Sequence, residues 1–505
     1  MSHSGSGHSA PIRGLTLKAL SQPQGRFGRM FPSLAAATYG ATEAESEQNL
    51  AVLAAAMSAP AVAPRDMPVA EESGIPALYT YLGQFIDHDI TFDPASTLQQ
   101  QSDPDALSDF RTPAFDLDSV YGRGPRDQPY MYSSPDTLLL GDPLQSGSPG
   151  TADLPRNTAD PRRAIIGDPR NDENVMVSQL HGLFLRFHNR TVADNPGLSL
   201  PDAQKLARFH YQYVVVNDFL PRIVHSTVLH ALRTAGHYDR RKLRFFHWRV
   251  APYMPVEFSV AAYRMGHSMV RPGYRLNDGI LLPIFPTPTP PYGHLGEGLT
   301  GFRAMNPAWG IDWARFIDIE IRNYDGTPED QQRRLQFSYK IDTSLENPLA
   351  NLPPIVAVNP SVLAERNLLR SLRLGLPSGQ DVARAMHVVP LDDSDILLGP
   401  GVDTPGSPLP DIRTVSPVFA NNCPLWTYIL AEAMHHTEAV KIPVVEDVTI
   451  NTPRLGPVGG RIVAEVLLGL LFGDPRSLLT LDPKWQPSAG ANYALKDFVA
   501  YALGN

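Results

Sequence analysis

The sequence predicts a mainly α-helical protein in which long proline- and glycine-rich loops separate the helices and strands are few. Apolar residues recur at helical spacing in many segments, as in helices with one buried face. The 505 residues include 49 prolines and 38 glycines, so the connections should be long and irregular. Hydrophobic residues make up 43% and charged residues 19%, which is typical of a soluble globular protein.

Composition also predicts the domain organisation. Residues 1–25 are polar and rich in glycine and serine, so we expect a flexible N-terminal arm. No later stretch has the composition of a linker between independently folding halves. Residues 26–505 are therefore predicted to form a single domain with a large core.

Charge and targeting signals exclude several classes. The net charge of -9 argues against a nucleic-acid-binding surface. A single cysteine, Cys423, excludes intrachain disulfides and cysteine-rich zinc sites. The first residues lack the apolar core of a standard secretory signal, and no segment is apolar enough to span a membrane. We expect a soluble protein, either secreted by a route without a standard signal peptide or retained in the cytoplasm.

Helices can be placed in order along the chain. Residues 43–57 carry acidic residues in their first turn, as helices often do. Residues 167–174 open a helix in which Met176 and Leu180 fit helical spacing. A helix over 256–270 should end before Pro272. Further helices are expected over 76–92, 200–234, 308–321, 360–373, 379–387, 424–439 and 458–473.

The stretch 81–92 places four polar residues in an otherwise apolar segment. If it is helical, Gln84, Asp87 and His88 share one face at positions i, i+3 and i+4. Asp89 then points about 100° further round. Polar groups on a buried helix are costly unless something uses them. This stretch is therefore either a satisfied polar network or half of an active site.

Other histidines have two interpretations. His181, His188 and His267 lie near apolar helix faces, where a histidine is most often a hydrogen-bonded core residue. His267, however, follows Gly266, and Arg264 lies one turn earlier. A missing side chain lets a flat ligand approach, and an arginine can neutralise an anionic group.

Two sets of polar and charged residues also have both a functional and a purely structural interpretation. Thr112, Asp116 and Asp118 offer alternating oxygen atoms, which suits a cation that takes about six to eight oxygen ligands. On these residues alone, a solvated surface turn is the commoner arrangement, and the pattern is not that of an EF-hand. Arg170 and Glu173, three residues apart, form either a local ion pair or part of a site.

Five motifs together resemble the animal-type haem peroxidases of the peroxidase–cyclooxygenase superfamily, in a bacterial-type form. They occur in the family's order at Gln84–Asp89, Thr112–Gly122, Asp168–Glu173, Tyr263–His267 and Asn367–Pro377. Residues Gly456–Leu471 resemble the family's last core helix. The resemblance implies the peroxidase fold, with haem held between core helices.

The resemblance also implies roles for individual residues. The residues acting on peroxide would be the distal histidine His88, the distal arginine Arg170 and Gln84, which holds water or halide. The haem ligands would be His267 on iron, its hydrogen-bond partner Asn367, Arg264 and Arg370 at the propionates, and Asp87 and Glu173 in ester bonds to haem b. The calcium ligands would be Asp89, Thr112, Ala114 through its carbonyl, Asp116 and Asp118.

The implied activity is a peroxidase that uses hydrogen peroxide to oxidise bromide, iodide, thiocyanate or phenolic donors through a ferryl intermediate. His88 would transfer the peroxide proton, and Arg170 would stabilise the departing oxygen. Asn174 stands where some members have a methionine bonded to haem, so efficient chloride oxidation is not expected. Asp118 replaces a serine common in the family and adds a carboxylate to the cation site.

Two other functions compete with this one. A fatty-acid dioxygenase of the same superfamily needs a tyrosine three residues before the proximal histidine. Arg264 occupies that place and Tyr263 is one residue further back, about 100° away on a helix. A non-catalytic haem-binding or adhesion protein is the second alternative, and the retained His88 and Arg170 argue against it.

Overall fold

The structure of the protein is a computed structural model. It describes residues 27–60, 69–91, 113–286, 298–320, 333–354, 356–357, 359–403, 408–442 and 448–504. The predicted N-terminal arm and Thr112 lie outside these ranges.

Helices dominate the described residues, as predicted. The α-helices are α1 (Glu43–Ala56), α2 (Leu78–Ile90), α3 (Asp118–Tyr121), α4 (Val175–Asp194), α5 (Leu200–Val214), α6 (Leu220–Ile223), α7 (Ser226–Ala231), α8 (Asn347–Ala350), α9 (Leu363–Arg373), α10 (Gly379–Ala385), α11 (Leu425–Met434), α12 (Gly459–Gly473), α13 (Leu478–Leu481) and α14 (Leu495–Leu503). Among the described residues, no helix is long and apolar enough to cross a lipid bilayer.

Strands pair only two at a time in the described parts of the chain. The antiparallel pairs are Glu72–Pro76 with Phe337–Tyr339, Tyr132–Ser134 with Thr137–Leu138, Arg156–Asn157 with Asp160–Ala164, Arg233–Thr234 with His237–Tyr238, Gly273–Arg275 with Leu281–Pro283, and Thr437–Lys441 with Thr449–Pro453. Phe27–Gly28 pairs in parallel with Met254–Pro255.

Helices α2 and α4 form the centre of the core. Phe85 and Ile86 of α2 are fully buried. The Phe85 ring stacks on Phe184 of α4, with centroids 4.2 Å apart and planes 8° from parallel. Aromatic pairs of this size bury much apolar surface and have a defined geometry. The contact therefore fixes the polar face of α2 relative to the N-terminal end of α4.

Two long predicted helices are interrupted in the structure. The 200–234 prediction becomes α5, a widened π-helical turn at Val215–Phe219, then α6 and α7. Pro221 in α6 has no N–H and its ring needs room, which a widened turn provides. The 256–270 prediction becomes a π-helical turn at Glu257–Ala261 and a 3₁₀ helix at Ala262–His267.

The predicted helix over 308–321 is wrong for its described residues, which form only short 3₁₀ turns at Pro307–Trp309 and Trp313–Arg315. Tertiary hydrogen bonds take the backbone groups that a helix would need. The Ile311 N–H donates to Gln179 Oε1 at 2.8 Å, and the Gly310 carbonyl accepts from Asn277 at 2.9 Å. Tertiary context thus overrides helical spacing.

The helix predicted over 424–439 is too long. Helix α11 ends at Met434, and Thr437–Lys441 forms a strand instead. Pairing of this strand with Thr449–Pro453 satisfies the backbone groups that a longer helix would have used. The buried apolar side chains of the long helices form one connected main core.

Candidate functional site

His88 is buried on α2 and is held by a side chain from the loop before α4. Its Nδ1–H donates to Oδ1 of Asn171 at 2.8 Å, and its Nε2 lies 3.6 Å from Oε1 of Glu173. Asn171 belongs to the 3₁₀ turn Pro169–Asp172, which begins where Asp168 accepts from the Arg170 N–H at 2.8 Å. The turn thus presents its side chains to the polar face of α2.

Gln84 lies between two residues of that loop. Its Nε2 donates to Oε1 of Glu173, and its Oε1 accepts from Nδ2 of Asn174 at 3.0 Å. Asn174 also caps α4, because its Oδ1 accepts from the Val177 N–H at 2.9 Å. Burial is the main cause that raises the pKa of Glu173 to about 7, against the lowering effect of Arg170. This carboxyl can therefore be protonated near neutral pH.

Arg170 braces the end of α2. Its Nη2 donates to Oδ2 of Asp168 at 2.7 Å, to the His88 carbonyl at 2.9 Å and to the Thr91 carbonyl. A guanidinium at a helix C-terminus satisfies carbonyls that the helix leaves open. Burial raises the pKa of Asp87, and the charge of Arg170 opposes that rise. Arg170 thus acts on the site through its charge and through the position of His88.

His267 ends the 3₁₀ helix Ala262–His267 and contacts α9. Its Nδ1 lies 2.8 Å from Nδ2 of Asn367, whose Oδ1 accepts from Nη1 of Arg264 at 3.2 Å. Burial, and then the charge of Arg264, lower the pKa of His267 to about 3. The imidazole is therefore neutral, which is the form that binds metals. Arg370 lies one helical turn after Asn367 and is partly buried.

Asp87 of the first group and Arg264 of the second affect each other's pKa, so the two groups of residues face each other. Both groups contain side chains that are only partly buried, namely Asp87, Glu173, Arg264 and His267. Glu173 keeps 37% of its side-chain surface accessible. Facing side chains that keep accessible surface border a cavity. A Cβ added to Gly266 would meet no atom within 4 Å, so the cavity continues beside His267.

Tyr263 adjoins the same cavity wall. Its ring stacks on Phe258 with centroids 4.7 Å apart, and its buried hydroxyl has no hydrogen-bond partner among the described residues. Burial and then the charge of Asp87 raise its pKa well above the usual value. The phenol therefore stays protonated and close to Asp87.

Three predicted cation ligands come together on the opposite side of α2. Carboxylate oxygens of Asp89, Asp116 and Asp118 all lie within 4.8 Å of one another. Burial, followed by the charges of Asp118 and Asp89, raises the pKa of Asp116 well above its usual value. Nη2 of Arg476 lies 3.5 Å from Oδ2 of Asp116. Such a group of carboxylates could hold a hard cation.

The backbone of this loop supports the cluster. Leu117 adopts a left-handed conformation (φ 61°), and its N–H donates to Oδ2 of Asp89 at 3.4 Å. Gly167 packs so tightly against the loop that an added Cβ would lie 2.3 Å from the Asp118 carbonyl. Ala114 is buried in the same loop. The loop is therefore held from both sides.

Sequence reasoning missed Asn171, which contacts both His88 and the buried His181. The residue stands next to Arg170 inside a recognised motif, but an asparagine in a turn is too common to be a signal. Only the approach of α2 to that turn identifies it.

Comparisons with known proteins find similarity to one family over part of the chain. Residues 100–283 match the family model described as animal haem peroxidase. Human eosinophil peroxidase is 31% identical over 116 residues, which cover 21% of this chain and 15% of that protein. Human myeloperoxidase is 24% identical over 182 residues, covering 34% of this chain and 22% of that protein. These alignments thus span only a minor part of the length of the curated relatives.

Solved structures share the fold over nearly the whole chain. Peroxidase A from Dictyostelium discoideum superposes with a TM-score of 0.56 at 16% identity, covering 95% of this chain and 94% of that chain. A fatty acid alpha-dioxygenase from Arabidopsis thaliana superposes with a TM-score of 0.55 at 14% identity, covering 94% and 77%. The predicted fold class is confirmed, and the fold alone does not separate the two activities.

Proposed function

Because residues 100–283 match the animal haem peroxidase family model, we propose that the protein is a haem-dependent peroxidase that uses hydrogen peroxide to oxidise small anions or phenolic donors. The observation that carries the proposal is a pair of imidazoles, one in each of the two groups of residues that face each other at Asp87 and Arg264. His88 and His267 are each held at Nδ1 by an asparagine side chain. In each ring Nε2 is the nitrogen that its asparagine does not contact, so we assign Nε2 of His88 to proton transfer and Nε2 of His267, once deprotonated, to the metal.

The residues around the cavity fit haem. His267 is a neutral imidazole beside the side-chain-free Gly266, where a flat ring has room. His267 would hold the iron, with the Asn367 amide at its Nδ1, and Arg264 and Arg370 would face the propionates. When bound, haem supplies the redox chemistry. An amide partner leaves the imidazole less anionic than a carboxylate would, which favours a high reduction potential.

The contribution of the protein is proton transfer by His88. Asn171 accepts from Nδ1–H, so the lone pair of Nε2 is on the side of Gln84 and Glu173. A neutral imidazole there can take the proton from one oxygen of hydrogen peroxide and deliver it to the other. Positioned proton transfer of this kind contributes about 10²–10⁴-fold. The charge of Arg170 would stabilise the departing oxygen.

Residues beside His88 support a proposal about which electron donors the protein oxidises. The amide of Gln84 can hold water or a halide close to Nε2 of His88. Asn174 is engaged with Gln84 and with the start of α4, and it offers no sulfur for a third bond to haem. We therefore propose bromide, iodide, thiocyanate or phenols as donors, and no efficient oxidation of chloride.

Covalent attachment of haem through Asp87 and Glu173 is a separate proposal. Both carboxyls line the cavity, and the raised pKa of each favours a protonated carboxyl. After turnover with peroxide, acidified organic solvent should leave most of the haem on the protein. The double substitution Asp87→Asn and Glu173→Gln should release all of it, and each single substitution should leave one bond. Complete extraction from the turned-over wild-type protein would show that no ester forms.

Calcium is the cation that we propose for Asp89, Asp116 and Asp118. Asp89 follows His88 directly in α2, so clamping Asp89 to an ion would fix the orientation of the catalytic ring. Thr112 and the Ala114 carbonyl would complete the ligand set.

Calcium removal tests this site. A calcium concentration about 100 times Kd should stabilise the fold by about 2.7 kcal/mol, so chelation should lower Tm by a few degrees and added calcium should restore it. Asp116→Asn should abolish the response, whereas Asp160→Asn, in an ion-paired hairpin at the surface, should retain it. Equal Tm values with calcium and with chelator would refute the calcium site.

A fatty-acid dioxygenase is the second candidate, and one observation favours it. The Tyr263 hydroxyl is buried in the cavity wall without a hydrogen-bond partner among the described residues, as a radical-forming phenol could be. Our proposal predicts no peroxide-initiated oxygen uptake with linoleate, and peroxidase rates that are unchanged by Tyr263→Phe. Clear oxygen uptake that Tyr263→Phe abolishes would instead establish the dioxygenase.

A further inference from the structure

Three buried side chains, His88, Asn171 and His181, are hydrogen-bonded in series and lead away from the cavity. Asn171 lies in the middle, with Oδ1 2.8 Å from Nδ1 of His88 and Nδ2 3.0 Å from Nδ1 of His181. His88 is 4% exposed, and the other two are fully buried. These hydrogen bonds join α2 to α4 through the turn Pro169–Asp172.

His181 can take part in this series of hydrogen bonds only as a neutral acceptor. Its Nε2 is buried and has no hydrogen-bond partner among the described residues. Its ring lies beside Phe85, with centroids 6.1 Å apart. Burial lowers the pKa of His181 to about 3, so the ring does not become charged under ordinary conditions. Because Nδ1 accepts from Asn171, the single ring proton is on Nε2.

The neutral acceptor determines which end of Asn171 faces His88. A side-chain amide has one acceptor end and one donor end. While His181 accepts from the NH₂ group, the oxygen of Asn171 faces His88 and Nδ1 of His88 keeps a proton. If the amide were reversed, Nδ1 of His88 would become an acceptor. The His88 proton would then move to Nε2, where it would block uptake of a proton from peroxide.

We propose that Asn171 and His181 are positioning residues that fix the ring orientation and the tautomer of His88 for proton transfer from hydrogen peroxide. The proposal rests on the peroxidase function proposed above. Asn171 acts directly on His88, and His181 acts through Asn171. Without His181, the buried NH₂ group of Asn171 would lose its acceptor, and the amide would no longer be held in one orientation.

Nitrogen-15 NMR determines the tautomer of His88 without an activity assay. The full chain would be labelled with [¹⁵N]histidine and loaded with zinc protoporphyrin, which is diamagnetic, and the His88 signals would be assigned by their loss in His88→Gln. In the wild-type protein, Nδ1 should carry the proton and Nε2 should not. Asn171→Leu and His181→Phe should each produce a mixture of tautomers.

Matched variants separate positioning from general stability. Asn171→Asp keeps an acceptor at Nδ1 of His88 and should preserve the wild-type tautomer. His188→Gln changes another buried histidine of α4, which contacts Tyr121 and the Asp136 carbonyl, and should leave the His88 signals unchanged. A wild-type tautomer in both Asn171→Leu and His181→Phe overturns the proposal.

Rates of the haem-loaded protein give a second readout. The second-order rate with peroxide should fall about 10–100-fold in Asn171→Leu, as when hydrogen-bond partners of functional histidines are removed. KM for the electron donor should not change, and Asn171→Asp should recover most of the rate. If the wild-type protein reacts with peroxide and Asn171→Leu reacts equally fast, the positioning role is overturned and the peroxidase function stands. An unreactive wild-type protein overturns the peroxidase function and the inference with it.

Discussion

Replacing His88 with alanine is expected to slow the reaction of the haem-loaded protein with hydrogen peroxide by about 10²–10⁴-fold. The His88 ring is the expected proton acceptor because its Nε2 lies 3.6 Å from Oε1 of Glu173. Its Nδ1 is held by Oδ1 of Asn171. Haem content should be unchanged, because iron would be held by His267. Stopped-flow measurement of the second-order rate against peroxide concentration gives the result.

His188→Ala is the matched control for this substitution. His188 is also a buried helical histidine, and its ring bonds to Tyr121 and to the Asp136 carbonyl. Its loss should cost stability but leave the peroxide reaction nearly as fast as in the wild-type protein. Unchanged peroxide reactivity in His88→Ala would remove the catalytic role from this histidine.

Replacing His267 with alanine is expected to abolish stable haem binding. The imidazole is neutral, is oriented by Asn367 and borders the space beside Gly266, so it is the group fitted to ligate the iron. Without it, only the contacts to the rim of the haem would remain. Haem stoichiometry should be measured on protein that has not been exposed to peroxide, so that ester bonds do not retain the ring.

Added imidazole gives this second prediction a positive control. A free imidazole can fill the space that the missing ring leaves and should restore part of the haem absorption in His267→Ala. His188→Ala should bind haem as the wild-type protein does. Full haem stoichiometry with an unaltered spectrum in His267→Ala would mean that another residue ligates the iron.

Helix-rich architecture could be predicted because the apolar spacing of the long helices is strong and local. The helical pattern of α2 placed its polar residues on two faces, and the structure has His88 toward the Asn171 turn and Asp89 toward the acidic loop. The segment 308–321 could not be predicted correctly. Its backbone bonds to Gln179 and Asn277, which are distant in sequence, and no local pattern reveals such partners.

Motifs predicted most residues of the site, but they did not predict the contacts among these residues. The motif containing Arg170 suggested a residue that acts on peroxide, but it did not predict that the guanidinium also bonds to Asp168 and to carbonyls at the end of α2. Asn171 was missed because its importance depends on the approach of two helices. Such contacts depend on tertiary packing, which spacing along one helix does not contain.

A steady-state assay of the haem-loaded protein tests the central claim most directly. Hydrogen peroxide would be supplied with chloride, bromide, iodide, thiocyanate or a phenol, and the oxidised product would be measured for each. We predict saturable, peroxide-dependent oxidation of at least one donor other than chloride, with the rate lost in His88→Ala. A haem-replete wild-type protein that oxidises none of these donors would contradict the account and would favour a non-catalytic haem-binding role.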